Sequence, residues 1–312
     1  MKTSHAPSVV PTIAKKTGPS NGPELMRAAT YAAIAVAALL LGIKTWAYFV
    51  TGSVALLASV ADSALDLLAS ALNFIAIRIA LKPADSDHRF GHSKAEPLSG
   101  LSQAAFIAGS AVLVMVEAAT RFGNNSPIEA SGFGIGVIVF ATIVTLILVQ
   151  FQKYVVRKTG SVAIGADSLH YTGDLFMNAS VIMALILSYN FSVHWIDPLF
   201  GIGICLFLIY NAARIATHSV HLLMDRELPD KDREIIRAAV LNHPDVLSVH
   251  ELRTRSSGLH QFIQMHIVLK REISFLEAHR ISDSVEKAVK KDFPSADIII
   301  HQDPEGLEHL VR

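Results

Sequence analysis

Apolar residues in the first two-thirds of the chain gather into long runs. Six of these are long enough to cross a bilayer, whose hydrocarbon core takes roughly 20 apolar residues of helix. They fall at 26–49, 53–81, 97–119, 131–155, 162–189 and 196–216. The second and fifth are the least purely apolar, each interrupted by ionisable groups. The third is rich in Ala, Gly and Ser, as expected of a helix packed closely among others. After Asp225 the pattern changes. DRELPDKDREIIRAAVLNH predicts a capped amphipathic helix with Pro229 at an early turn and Ile235, Ile236, Ala239 and Val240 on one face. Two strand-like stretches follow, VLSVHELRT and HQFIQMHIVLK, separated by the turn Ser256-Ser257-Gly258. A second amphipathic helix at 275–293 and a last strand, ADIIIHQ, complete the order αββαβ. The expected fold is a six-helix membrane bundle followed by a small α+β domain with helices on one face of an open sheet. The expected divisions are a tail at 1–23, a membrane domain at 24–224, a second domain at 225–304 and a short end at 305–312.

Composition agrees. Of 312 residues, 51% are hydrophobic and 17% charged, against about 25% charged in ordinary soluble domains, and mean hydropathy is +0.42. The net charge of +0 gives no bulk argument for nucleic acid. A single cysteine, Cys205 in an apolar run, excludes an internal disulfide and a Cys-rich zinc knuckle. Metal chemistry here must use carboxylates and the 14 histidines. Residues 1–23 mix Ser, Pro, Gly, Thr and Lys without an apolar core, which predicts a disordered cytoplasmic tail and no cleavable signal peptide.

Arg78, Lys82, Arg89 and Lys94 lie between spans two and three, and Lys153, Arg157 and Lys158 between spans four and five. The opposite side carries little beyond Lys44 and Arg121. By the positive-inside rule both termini face the cytoplasm. Trp46 and Trp195 fit an aromatic belt at the membrane edges.

Span two contains Asp62 and Asp66, four residues apart and so on one helix face; span five repeats the spacing with His170 and Asp174. An Asp at a helix centre costs about 2.5–3.5 kcal/mol on insertion scales, and such residues face a bundle interior or an aqueous cavity. Two helices presenting one pair each can converge on a point. Three carboxylates and one imidazole then form a tetrahedral site suited to Zn²⁺. Asp167, nearer the cytoplasmic end, is expected to line the cavity or cap a helix. In the loop after span two, Asp85, His88 and His92 are spaced so that a short turn can gather them round a second metal. His250, His266, His279 and His301, with Asp303, lie on different elements of the last domain, so the fold alone can bring them together. His218, His221, His243, His260 and His309 read as surface residues.

The two paired motifs, the loop HRFGHSKAEPL and the terminal IIIHQDP together resemble the cation diffusion facilitators, most closely the bacterial zinc and ferrous-iron efflux transporters. The resemblance runs over about 24–304. It implies a multi-pass protein of the bacterial inner membrane that exports Zn²⁺, Cd²⁺ or Fe²⁺ against protons as a homodimer. It also implies a metallochaperone-like, ferredoxin-like cytoplasmic domain. Asp62, Asp66, His170 and Asp174 match the family's transport site, and an Asp-Asp with His-Asp set is associated there with Zn²⁺ and Cd²⁺ rather than Mn²⁺. Asp85, His88 and His92 match a second site at the cytoplasmic mouth. His250, His266, His279, His301 and Asp303 match a binuclear zinc site at the domain dimer interface with the Asp bridging, and Gln302 is a candidate outer ligand. Lys94 and Asp225 match charges that interlock near the dimer axis. Zinc is then both substrate and structural ligand.

Metal binds only deprotonated ligands, so protons compete for the site. His170, with an ordinary pKa near about 6.5, is the natural group to exchange a proton. Cytoplasmic loading, helix rocking and outward release as protons enter follow from this. Acidic and imidazole ligands within helices also suit two other classes. An intramembrane metal hydrolase would need a general base beside an open coordination position, and no HExxH-type signature occurs. A metal-sensing receptor would bind metal without moving it, so flux by purified protein separates it from a transporter.

Overall fold

In the computed structural model, the described residues are 21–51, 54–121, 132–191, 196–258 and 260–306. The tail at 1–20, Trp195 and His309 lie outside them. Six long helices come first: α1 Gly22–Thr51, α2 Val54–Ala80, α3 Ala95–Arg121, α4 Gly132–Thr159, α5 Val162–Phe191 and α6 Ile196–Leu223. Then follow α7 Asp230–Leu241, β1 Val246–Ser256, β2 Gln261–Leu269, α8 Phe275–Asp292 and β3 Ala296–Pro304. The chain divides into two compact units, with the boundary between Val220 and His221.

Helices of 27 to 30 residues are about 40–45 Å long, more than the hydrocarbon core requires. Among the described residues, α1, α2, α3, α4 and α6 contain stretches long and apolar enough to cross a membrane by length and composition. α5 is as long and as apolar on average, and it carries Asp167, His170 and Asp174. Several helices overrun their apolar stretch, α6 continuing to Leu223. Apolarity marks the lipid-facing length, whereas backbone hydrogen bonding continues into polar sequence.

The first unit is apolar outside and polar within. Leu68, Leu72, Leu113 and Ile147 are exposed on its surface, while Asp66, Ser70, Asn73, Gln103, Gln152 and Asp167 are buried. Lipid removes the cost of exposing apolar side chains, so polar groups take buried positions beside apolar ones such as Met26, Ile77 and Ile107. α5 lies at the centre, against α1, α2, α3 and α4. Close approach depends on small residues: a Cβ at Gly173 would meet Leu208 of α6 at 3.0 Å, and one at Gly100 would meet Ser219 Oγ and Val162 Cγ1 at 3.0 Å.

The N-terminus of α5 is fixed from another helix. The Glu96 carboxylate, 1% exposed on α3, accepts a hydrogen bond from the Val162 amide at 2.9 Å. An acidic group there satisfies an unpaired helix donor and complements the helix dipole. Ser161 adds a cap, its Oγ accepting from the Ile164 amide at 3.2 Å.

In the second unit the sheet order is β1-β2-β3, antiparallel between β1 and β2 and parallel between β2 and β3. Ile263, Met265, Ile267 and Leu269 alternate along β2 and pack with Ile236 and Val240 of α7 and Ile281, Val285 and Val289 of α8. The helices therefore cover one face, as the sequence pattern predicts. The Ser274 hydroxyl caps α8, accepting from the Glu277 amide at 3.2 Å. β1 bulges between His250 and Arg253, where Glu251 takes a φ of 46°, and such an extra residue re-aims neighbouring side chains.

Ile267 is fully buried in this core, so Ile267→Ala should destabilise the second unit by about 2–5 kcal/mol. Hydrogen exchange of the β1–β3 amides in the full-length chain measures this. Unchanged protection would contradict the packing described.

Candidate metal centres

Asp66 of α2 and His170 of α5 face each other, with Nε2 of the imidazole 2.8 Å from Asp66 Oδ1. Asp174, one turn beyond His170, completes a group whose ligand atoms all lie within 4.8 Å of one another. Asp62 and Asp66 on α2, and His170 and Asp174 on α5, are each i,i+4, so each helix projects its pair from one side. Asp62, one turn before Asp66, is outside this tight group but electrostatically in range of Asp66 and His170. The His170 ring packs edge-on against Phe106 at 5.9 Å and Tyr171 at 5.6 Å. Tyr171 is held in turn by Ser70, Oγ to Oη 2.8 Å.

Deeper along α5, Asp167 is 1% exposed and accepts from Gln152 Nε2 at 2.6 Å. It thus lines the interior near Asn73, whose Oδ1 accepts from Ser99 at 3.3 Å. Asn73 Nδ2, both Gln103 side-chain atoms, Gln152 Oε1 and Asp167 Oδ1 are buried with no hydrogen-bond partner among the described residues. A polar interior of this kind is where buried water is held. The sequence reading placed Asp167 here but missed Gln152, Asn73 and Gln103. The signal was present as amides within apolar runs, without a spacing that pairs them.

The loop trio is gathered by an Asx turn. Asp85 Oδ1 accepts from the amides of His88 at 2.7 Å and Asp87 at 3.1 Å. His88 Nδ1 stands 3.4 Å from Oδ1, and His92 Nε2 3.3 Å from Oδ2. Gly91, with φ of 78°, lets the chain reverse between the two imidazoles. The His88 amide, above all, holds the Asp85 carboxyl below the usual carboxylate range. A group depressed in this way favours the turned loop above that range and loses the contribution as pH falls through it.

The third cluster is built by strand register. His250 pairs with His266 across β1 and β2, and His266 with His301 across β2 and β3. The three imidazoles therefore form one row on the face opposite the helices, rings 5.1 and 4.5 Å apart. Asp303, two residues past His301 and on the same face, serves all three. Its Oδ2 is 2.9 Å from His266 Nδ1 and 3.1 Å from His250 Nε2, and its Oδ1 is 3.4 Å from His301 Nε2. His279 is not in this row. It lies on α8, largely exposed, 3.8 Å from Asp283. Gln302 points to the helix side, its Nε2 donating to Ser282 at 2.7 Å. Lys94 immediately precedes α3, and Asp225, with φ of 55°, pairs with Arg255 at 3.3 Å.

The loop geometry separates two roles of Asp85. Asp85→Asn keeps the turn acceptor and loses the charge, so zinc affinity at the loop should fall on the order of tenfold or more with the turn intact. Asp85→Ala should lose both. Cobalt(II) or zinc titration with amide exchange of 85–92 checks this; equal affinity in Asp85→Asn would contradict it.

Residues 30–224 match the cation efflux transmembrane domain, and residues 228–305 match the cation efflux protein cytoplasmic domain. The chain is 45% identical over 280 residues to the cation-efflux pump FieF of Yersinia enterocolitica, covering 90% of this chain and 93% of that protein. It is 44% identical over 280 residues to the cation-efflux pump FieF of Salmonella choleraesuis, with the same coverage, 90% and 93%. A solved structure of CzrB in its zinc form is 37% identical, covering 26% of this chain and 94% of that one at a TM-score of 0.25. A chain matched along both of its domains, with acidic and imidazole groups gathered inside a bundle of membrane-length helices, belongs to the cation efflux family: it is a multi-pass transporter of divalent metal cations.

Proposed function

We propose that this transporter exports zinc, and also Cd²⁺ and Fe²⁺, from the cytoplasm of a bacterium in exchange for protons. It works as a homodimer in the inner membrane with both termini cytoplasmic. The observation that carries the reading is the group Asp66, His170 and Asp174, whose ligand atoms lie within 4.8 Å of one another. Asp62 joins as the fourth ligand by closing the turn between it and Asp66. One imidazole among carboxylates is a borderline donor set that favours Zn²⁺ over harder ions.

Dehydrating a divalent cation is costly, and neutralisation by the carboxylates offsets the cost. The same groups bind protons, so each proton arriving from outside weakens metal binding. His170, bonded to Asp66 at 2.8 Å, couples the two helices: metal pulls both toward itself, and protonation restores the imidazole–carboxylate pair. α2 and α5 thus move between a metal-held and a proton-held arrangement, the differential interaction that alternating access requires.

Asp85, His88 and His92 form a loading site on the cytoplasmic side. The His250–His266–His301 row with Asp303 is a zinc site that joins two domains in the dimer, with His279 adding its ligand there. Lys94 and Asp225 interlock near the dimer axis. Zinc at the sheet stabilises the paired form and so biases the membrane unit, a coupling between distinct sites.

Purified protein in proteoliposomes should drive zinc uptake that follows an imposed pH gradient; uptake indifferent to the gradient would remove the antiport. Asp66→Ala should fold and lose transport by at least about a hundredfold, the scale of removing a metal-orienting group, and undiminished Zn²⁺ flux would take the group out of the pathway. Replacing His170 by Asp should shift preference from Zn²⁺ toward Mn²⁺ and Cd²⁺. An unaltered metal profile in competitive flux would show that the imidazole does not select.

A further inference from the structure

α1 carries an ammonium into the neighbourhood of the acidic group. Lys44 lies inside that helix, in the apolar run AALLLGIKTWAYF, where a charge is costly and an apolar residue is favoured. A lysine near a helix end ordinarily snorkels outward to the interface. Lys44 does the opposite. It is half-buried, and its Nζ donates to Ser63 Oγ at 2.6 Å. Ser63 is 1% exposed and adjoins Asp62, so the anchor fixes the ammonium on the inward side of α2. From there it acts electrostatically on Asp62 and on Asp174, one carboxylate from each helix pair. α1 packs chiefly against α2, the helix that carries Ser63 and Asp62.

The charge count gives this placement a consequence. Ionised Asp62, Asp66 and Asp174 carry three negative charges, and Lys44 reduces them to two, which one divalent cation cancels. Without Lys44 the loaded site keeps an uncompensated negative charge in a low-dielectric bundle and holds its metal harder. We propose that Lys44 is a selectivity-determining residue of the transport site: a fixed countercharge, anchored on Ser63, that matches the acidic group to a divalent ion and keeps it weak enough to release. The proposal rests on the reading of that group as the transport site.

The test uses the full-length protein, in detergent for zinc titration and in proteoliposomes for flux. The relevant binding component is the one that Asp66→Ala abolishes. Lys44→Gln, which retains a donor for Ser63, should tighten that component by roughly tenfold or more and slow turnover at saturating zinc. Lys44→Arg should restore both toward wild type, which a packing role would not predict. Unchanged or weaker affinity in Lys44→Gln would overturn the proposal, as would equal defects in Lys44→Gln and Lys44→Arg. Should Lys44→Gln not fold, Ser63→Ala carries the test: loss of the anchor should move affinity in the same direction by about threefold, and no change overturns it. Absence of flux from the wild-type protein would instead count against the transport reading, while the binding comparison would still judge Lys44.

Discussion

The bond between Asp66 and His170, 2.8 Å across α2 and α5, is the interaction around which the membrane unit is arranged. Ionisable groups do not belong in hydrocarbon unless other groups meet them. Meeting them forces α5 to the centre of the bundle, against α1, α2, α3 and α4. It also draws polar side chains inward, leaving the lipid-facing surface to leucine, isoleucine and valine. Glu96 contributes at a distance by holding the first turn of α5 through the Val162 amide, which sets the height at which His170 and Asp174 are presented.

The cytoplasmic cluster is positioned by different means. Strand register, not helix spacing, aligns His250, His266 and His301, and the period of two places Asp303 on the same face. Such a row stays rigid because the hydrophobic face behind it is packed with Ile263, Met265 and Ile267. The loop trio is the lightest construction of the three: an Asx turn and one positive-φ glycine bring Asp85, His88 and His92 together.

Much of this was legible in the sequence because it depends on short-range periodicity. The i,i+4 pairs named the acidic group, the alternation in IQMHI named a strand face, and the apolar runs named the helices. Quantities that depend on how elements meet were not legible. Lys44 entered only as a charge on the outer side, since nothing in α1 announces that it faces Ser63. The Gln152–Asp167 contact joins residues from two helices with no shared spacing. His279 shares an element with no other histidine of the sheet, and its position beside Asp283 depends on the rotation of α8.

The central claim is that a metal ion is held inside the membrane unit by groups from α2 and α5. Zinc-edge anomalous scattering from the zinc-loaded full-length protein tests it most directly. The account predicts an ion bonded to Asp66, His170 and Asp174 at about 2.0–2.2 Å, with Asp62 turned in beside them. Anomalous signal at the loop and sheet clusters alone, with none between α2 and α5, would contradict it.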